Sequence, residues 1–543
     1  MSRRRQQTAP GTGAVQDTSG VRRRACDDGR ARNRRDPSSQ TESGQSVADK
    51  PSAKRRRAER ESEGLEVPVK AATTTPSEGR GPALTTAARG AAGEGMVRTG
   101  SNHPTDKVRE LQRSLYRTAK KDRKRRFHAV YDRIGRSDVL AEAWKRVKSN
   151  RGAGGIDGET LSMIEQRGAL DFLAEVQSEL REKRYRPRPV RRVYIPKPDG
   201  QERPLGIPTV KDRVVQMAAK LVLEPIFEAD FKSSSFGFRP KRSATQALEL
   251  LRIRCGRGQR AIVDGDIKSF FDSIDQKRLL ERVVRRISDR RVLRLIRQWL
   301  RAGVMEEGAV RKSTTGTPQG GVISPLLANI VLDELDETWE REWSHLGDLV
   351  RYADDFVIAC RTKRLADEAL ARVRTILETM GLALHPAKTR VVELRVRGEG
   401  FDFLGCHLRI VRSHFKGKTY LFRWPRAKAM TALRARIRAI TDWRRRWGMD
   451  DIRDVIAELN PILRGWCNYY RTGNATRHFI SIDRYVTDRI VRVLRRRRCH
   501  QGRGRNQRPT LWHQEWTHQR LVTDFGLFQL RGTIRYPGTP HAA

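Results

Sequence analysis

The chain has 543 residues, and its 111 Lys and Arg against 64 Asp and Glu leave a net charge of +47, a self-repulsion that makes nucleic acid the first expectation for a partner. No run approaches the roughly 18 apolar residues that a spanning helix needs, so integral membrane function is excluded. Six Cys stand singly with no Cys-x-x-Cys pair, so neither a disulfide scaffold nor a zinc ribbon is expected.

At roughly 100 to 200 residues per domain the length predicts three to five domains. Residues 1–100 contain no Phe, Tyr, Trp or Ile, and carry 20 Lys or Arg against 12 Asp or Glu. Such a segment cannot build a core, and residues 1–103 read as a disordered basic extension without a secretory signal. From 104 the pattern turns helical: Val108, Leu111 and Leu115, then Phe127, Val130 and Ile134, then Leu140, Trp144 and Val147. The Gly-rich stretch from Asn150 to Asp157 lacks the Gly-Lys-Ser/Thr ending of a phosphate loop and reads as a plain loop.

Between Val193 and Cys406, β-type runs (193–195, 261–263, 349–360) alternate with helical stretches such as 212–227 and 276–286, which predicts an α+β or α/β fold rather than a bundle. Three amphipathic helices follow, around 430–440, 452–459 and 482–490, with outward faces crowded by Arg. The tail from 495 is basic, and its Arg495 to Arg505 run with Trp512 and Trp516 reads as a surface for target DNA.

Two acidic clusters carry the chemistry. Asp354 and Asp355 fall between two β-type runs, at or near the turn of a hairpin, where adjacent carboxylates repel unless a divalent cation neutralises them. Asp264 and Asp266 end an upstream strand, and period two puts both on one face. One strand-end carboxylate preceding an acid pair suits a two-metal phosphoryl-transfer centre.

Tyr352-Ala-Asp-Asp355, preceded by Asp266-Ile-Lys-Ser-Phe-Phe271 and by Thr317-Pro-Gln-Gly-Gly-Val-Ile-Ser-Pro325, resembles reverse transcriptase, specifically the group II intron-encoded reverse transcriptase/maturase. Tyr194 to Gly200 with Arg203 to Pro208 is similar to the family's fingers motif, Phe236 to Pro240 to its next block, and Gly381 to Thr389 with Phe403 to Gly405 to its palm-closing motifs. Arg464-Gly-Trp-Cys-Asn-Tyr-Tyr-Arg471 resembles the maturase signature. The resemblance implies right-hand fingers and palm over 104–410, an α-helical thumb/maturase (X) domain over 411–494 and a basic C-terminal region over 495–543. It implies Mg²⁺ held by Asp266, Asp354 and Asp355, with Lys388 as proton donor to the leaving pyrophosphate. Lys197, Arg203 and Gln319 would contact the incoming deoxynucleoside triphosphate, and Phe271 would act as steric gate against a 2′ hydroxyl. Arg464, Tyr469, Tyr470 and Arg471 would bind intron RNA, while Trp466 is expected in the core.

What the resemblance implies is an RNA-directed DNA polymerase that copies intron RNA into DNA, binds that RNA to assist splicing, and also meets target DNA. It would act in the cytoplasm as a nucleoid-associated ribonucleoprotein, with a homodimer left open. The chain ends near Asp524-Phe-Gly-Leu-Phe528 without paired Cys, like the endonuclease-lacking lineages of the family. The alternative readings are a reverse transcriptase domesticated for host defence or diversity generation, and an RNA-binding splicing cofactor without polymerase activity.

Overall fold

The computed structural model describes residues 104–196, 202–306, 309–311, 316, 320–412, 417–442, 444, 451–500 and 513–536. Expectations resting on residues 1–103, Lys197, Gln319 and Trp512 lie outside the described residues, as does the side chain of Arg203.

Helices α1 (Pro104–Lys121), α2 (Ser137–Ser149) and α3 (Val210–Glu228) open the folded part. Helix α3 is buried along most of its length, from Val210 to Phe227, with Asp212, Arg213 and Gln216 among the buried residues, and it serves as the axis on which α1 and α2 pack. Thr209 starts it by accepting a hydrogen bond from the Asp212 amide.

Among the described residues, three sheets follow. The fingers sheet has the order β2-β1-β4-β5, with β1 (Val190–Pro196) antiparallel to β2 (Glu202–Ile207) and parallel to β4 (Val304–Glu306), which pairs with β5 (Ala309–Arg311). The palm sheet has the order β6-β7-β3-β8, from β3 (Ala261–Asp266), β6 (Asp348–Tyr352), β7 (Asp355–Cys360) and β8 (Arg390–Glu393). A third sheet, β11-β10-β9, is built from β9 (Phe401–Phe403), β10 (Cys406–Arg412) and β11 (Thr419–Pro425).

The palm sheet is covered on both faces. Val263, Phe356 and Ile358 join the core shared with α1 to α3, whereas Ile262, Val357 and Ala359 join a second core toward the C-terminal part. Successive β side chains point to opposite faces, so a strand sandwiched in this way must be apolar at every position, which explains the unbroken Phe356 to Cys360 run.

Further helices frame the sheets: α4 (Ala244–Gly256), α5 (Gln276–Val284), α6 (Arg290–Arg301), α7 (Ser324–Thr338) and α8 (Lys363–Thr379). After the third sheet come α9 (Ala427–Ile440), α10 (Ile452–Tyr470), α11 (Thr476–His500) and the short α12 (His518–Thr523). The mixed fold therefore stands, but two expected boundaries shift. The cut at 410 falls inside β10, because the third sheet closes before the helices begin at Ala427. The cut at 495 falls inside α11, and beyond it Leu521, Leu527 and Leu530 are buried in the second core. Trp516 also packs there, against Phe525, so its ring belongs to a docked segment and is not a free DNA-stacking platform. Among the described residues no helix is long and apolar enough to cross a membrane.

Candidate active site

Strand β3 ends at Asp266, whose cross-strand partner in β7 is Asp355. Strands β6 and β7 form a hairpin in which Tyr352 faces Asp355, leaving Ala353 and Asp354 as its two-residue turn. Ala353 takes φ +58, a left-handed conformation that the tight turn imposes on a residue with a Cβ. The turn rests on Gly237: a Cβ there would lie 2.4 Å from the Ala353 amide nitrogen, so only glycine lets the Phe236-Gly-Phe segment pass.

The hairpin is held from behind by Arg351, which has no exposed surface. Its guanidinium donates two hydrogen bonds to Asp336 on α7, one of them at 2.8 Å to Oδ1, and further bonds to Asn329 Oδ1 (3.2 Å), Ser235 Oγ (2.9 Å) and the Ala353 carbonyl (3.0 Å). Asn329 in turn donates to the Gly237 carbonyl at 2.8 Å. Three motifs far apart in the chain thus share one buried polar knot. Sequence reasoning missed Arg351 and Asp336, because an Arg in a strand and one Asp of an acidic helix end look like surface residues; the one signal was the Arg within an otherwise apolar run.

A further side of the site comes from 383–388. Lys268 N donates to the Ala383 carbonyl (2.9 Å), and His385 N donates to the Asp266 carbonyl (2.8 Å). This brings the Lys388 ammonium 2.7 Å from Asp266 Oδ2, although the two residues lie 122 positions apart. Arg390 stands 3.6 Å from Asp264.

The electrostatics follow from this crowding. Burial, then the charges of Asp354 and Asp266 and a hydrogen bond with Asp266, push Asp355 up to about 7, even though part of its side chain still reaches solvent. Asp264 rises to about 6, again chiefly by burial, with Arg390 opposing the shift. Burial and mutual repulsion disfavour the ionised form of these carboxyls, and a hard divalent cation among their oxygens would offset both and favour ionisation. Among the described residues, however, no three His, Cys, Asp or Glu are gathered closely enough to form a finished cage.

Phe270 is buried in the core, and Phe271 beside it is half-buried, packed against that core in an edge contact with Phe270. Gly320, the residue after Gln319, has φ +108 and passes so close to β2 that a Cβ would lie 2.4 Å from the Gly206 carbonyl oxygen. The fingers motif around Arg203 and the Gly-Gly loop therefore meet.

Comparison with known proteins gives this arrangement its family. Residues 195–408 match the family described as reverse transcriptase (RNA-dependent DNA polymerase), and residues 430–512 match the group II intron, maturase-specific domain. The chain belongs to the group II intron-encoded reverse transcriptase/maturase family. Protein YkfC of Escherichia coli is 35% identical over 362 residues, which cover 59% of this chain and 93% of YkfC. The group II intron-encoded protein LtrA of Lactococcus lactis is 40% identical over 214 residues, 39% of this chain and 35% of LtrA. An uncharacterized 91 kDa protein in the cob intron of Schizosaccharomyces pombe is 28% identical over 433 residues, 66% of this chain and 52% of that protein. The matched region thus spans about a third of LtrA and about half of the Schizosaccharomyces pombe protein.

In the maturase-specific region the structure corrects one expectation. The Tyr470 ring is buried, with its hydroxyl 3.2 Å from the Gly405 carbonyl, and the half-buried Tyr469 donates to the Leu404 carbonyl at 2.7 Å. Both tyrosines pin α10 to the turn that ends the Phe403-Leu-Gly405 motif, so Tyr470 has no free face for an RNA base. Helical spacing put polar-looking aromatics on the buried side, and burial of an aromatic ring with its hydroxyl satisfied outweighs stacking on a ligand. Trp466, expected in the core, is half-buried at the edge of the second core, where it packs on Tyr470 and Phe479. Arg464 remains exposed, its guanidinium over the Phe528 ring, and Arg471 is half-buried, with its carbonyl taken by the Arg535 amide.

Proposed function

We propose that this chain is an active RNA-directed DNA polymerase that copies the RNA of its group II intron into DNA and binds the same RNA to assist splicing. The observation that supports it best is the Asp266–Asp355 cross-strand pair with Asp354 in the adjoining turn and Lys388 on Asp266. Asp266, Asp354 and Asp355 would hold Mg²⁺, which supplies activation of a 3′ hydroxyl and charge neutralisation on the triphosphate. The protein's own contribution is position. Strand pairing fixes Asp266 against Asp355, the Arg351 knot fixes the turn, and Lys388, held beside Asp266, would give a proton to departing pyrophosphate. Lys197, Arg203 and Gln319 would contact the incoming deoxynucleoside triphosphate, and Phe271 would close the space beside its 2′ carbon. Exposed arginines of the maturase region, Arg464 among them, would hold intron phosphates, and target DNA would provide the primer end.

Asp354→Ala combined with Asp355→Ala tests this reading. Mg²⁺-dependent extension of a primed RNA template should fall to background while intron binding and assisted splicing persist. Loss of RNA binding together with extension, in a variant that still melts like the parent, would refute it.

A further inference from the structure

Helix α6 reads Arg-Arg-Val-Leu-Arg-Leu-Ile-Arg-Gln-Trp-Leu-Arg. Val292, Leu295, Ile296, Trp299 and Leu300 are buried, while Arg290, Arg294, Arg297 and Arg301 are exposed on the other side. No acidic residue interrupts the helix, and among the described residues these four arginines have no ion pair, whereas Arg291 on the flank is paired with Asp132 and Asp289. A merely solvated helix face mixes signs, as α8 does with Asp367, Glu368 and Glu378 among its basic residues. Arg290 moreover sits in the first helical turn, where the helix dipole disfavours a cation. Three of the row, Arg294, Arg297 and Arg301, also line an open groove of about 480 Å³ together with Gln298 and the exposed Arg186. Like charges gathered around one groove repel unless an anion lies among them.

From this geometry we infer that the α6 groove is a docking site for the phosphodiester backbone of the intron RNA, outside the strand being copied. A helical rise of 1.5 Å per residue sets the four arginines about 6, 4.5 and 6 Å apart along the axis, a run suited to successive phosphates. None of Asp266, Asp354, Asp355 or Lys388 lines the groove, so its occupant does not reach the carboxylates from there. The RNA of the proposed function is a long polyanion of this chemistry, and to that extent the inference rests on the proposed intron-binding function.

The test replaces Arg290, Arg294, Arg297 and Arg301 by Gln in the full chain, which keeps helix propensity while removing charge. Binding to the transcript of the intron that encodes the chain should weaken, and the slope of log K against log salt should become shallower by about 3, from 0.7 to 0.9 per lost phosphate contact. Extension of a short pre-annealed primer–template should stay at the parental rate. Arg→Lys replacements at the same four positions should restore most of the slope, which a folding defect would not permit. A control set of Gln at Arg361, Lys363, Arg364 and Arg374 removes equal charge elsewhere and should change the slope by less than about 1. An unmoved slope, an equal effect from the control set, or a flattened slope for duplex DNA with none for the RNA would each overturn the groove assignment. A parental protein that binds no intron RNA would sink the proposed function and the groove together; parental binding with an unmoved slope sinks only the groove.

Discussion

Replacing Arg351 by Met strips five hydrogen bonds from a side chain with no exposed surface and leaves Asp336, equally unexposed, as a lone buried carboxylate. Removing one partner of a buried ion pair costs about 3–5 kcal/mol, because the remaining charge keeps its desolvation penalty and loses its compensation. Against the roughly 5–15 kcal/mol that holds a domain together, that is a large fraction. Urea denaturation should show the loss directly. Adding Asp336→Leu to Arg351→Met removes the stranded charge, and the double variant should regain at least about half of the lost stability, since an apolar pair of similar volume can replace a buried ion pair. Primer extension should not return with stability, because the Ala353 carbonyl and Asn329 still lack their donor and the turn bearing Asp354 loses its support. A single-variant cost below about 1 kcal/mol, or strictly additive costs in the cycle, would refute the claim that this pair holds the turn.

Gly237→Ala should bring a Cβ into the Ala353 amide, displacing the turn and reducing extension more than tenfold with intron binding retained; parental activity would show that the turn tolerates the shift. Phe271→Ala should raise ribonucleotide incorporation relative to deoxyribonucleotide, whereas a fall in melting temperature with unchanged discrimination would make the ring a core residue only. Asp333 is raised to about 7, by burial first and by Asp336 second, with Arg282 and Arg351 opposing. Its folded form holds a proton that the unfolded chain releases near pH 4, so this group should lower stability as pH rises from about 4 to about 7. Asp333→Asn should flatten that segment of the stability–pH curve, which denaturation at several pH values would reveal.

How much of this was legible in the chain depends on the range of the interaction. The Asp354–Asp355 hairpin and the Asp264–Asp266 strand end could be read locally, because strand alternation and turn position are properties of a few consecutive residues, and the structure places them as expected. The helices around Val108, 212–227 and 452–459 were likewise visible as apolar periodicity. Charge alone pointed to a polyanion, since net charge does not depend on folding.

Tertiary structure alone decided the rest. Lys388 meets Asp266 only because 383–388 pairs alongside Ile267 and Lys268, and no local pattern encodes a contact across that separation. Tyr470 and Arg464 occupy the same helix and the same motif, yet one is buried and the other exposed, because β9 and β10 deliver the Leu404–Gly405 turn to one side of α10. Arg351 is an ordinary basic residue in the sequence and, among the described residues, the largest fully buried side chain, since only assembly of α7, the Ser235 segment and the hairpin creates the acceptors that make burying its charge tolerable. Residue type and short spacing specify which groups can do chemistry; packing, by excluding water from some of them and leaving others wet, determines which ones are positioned to do it.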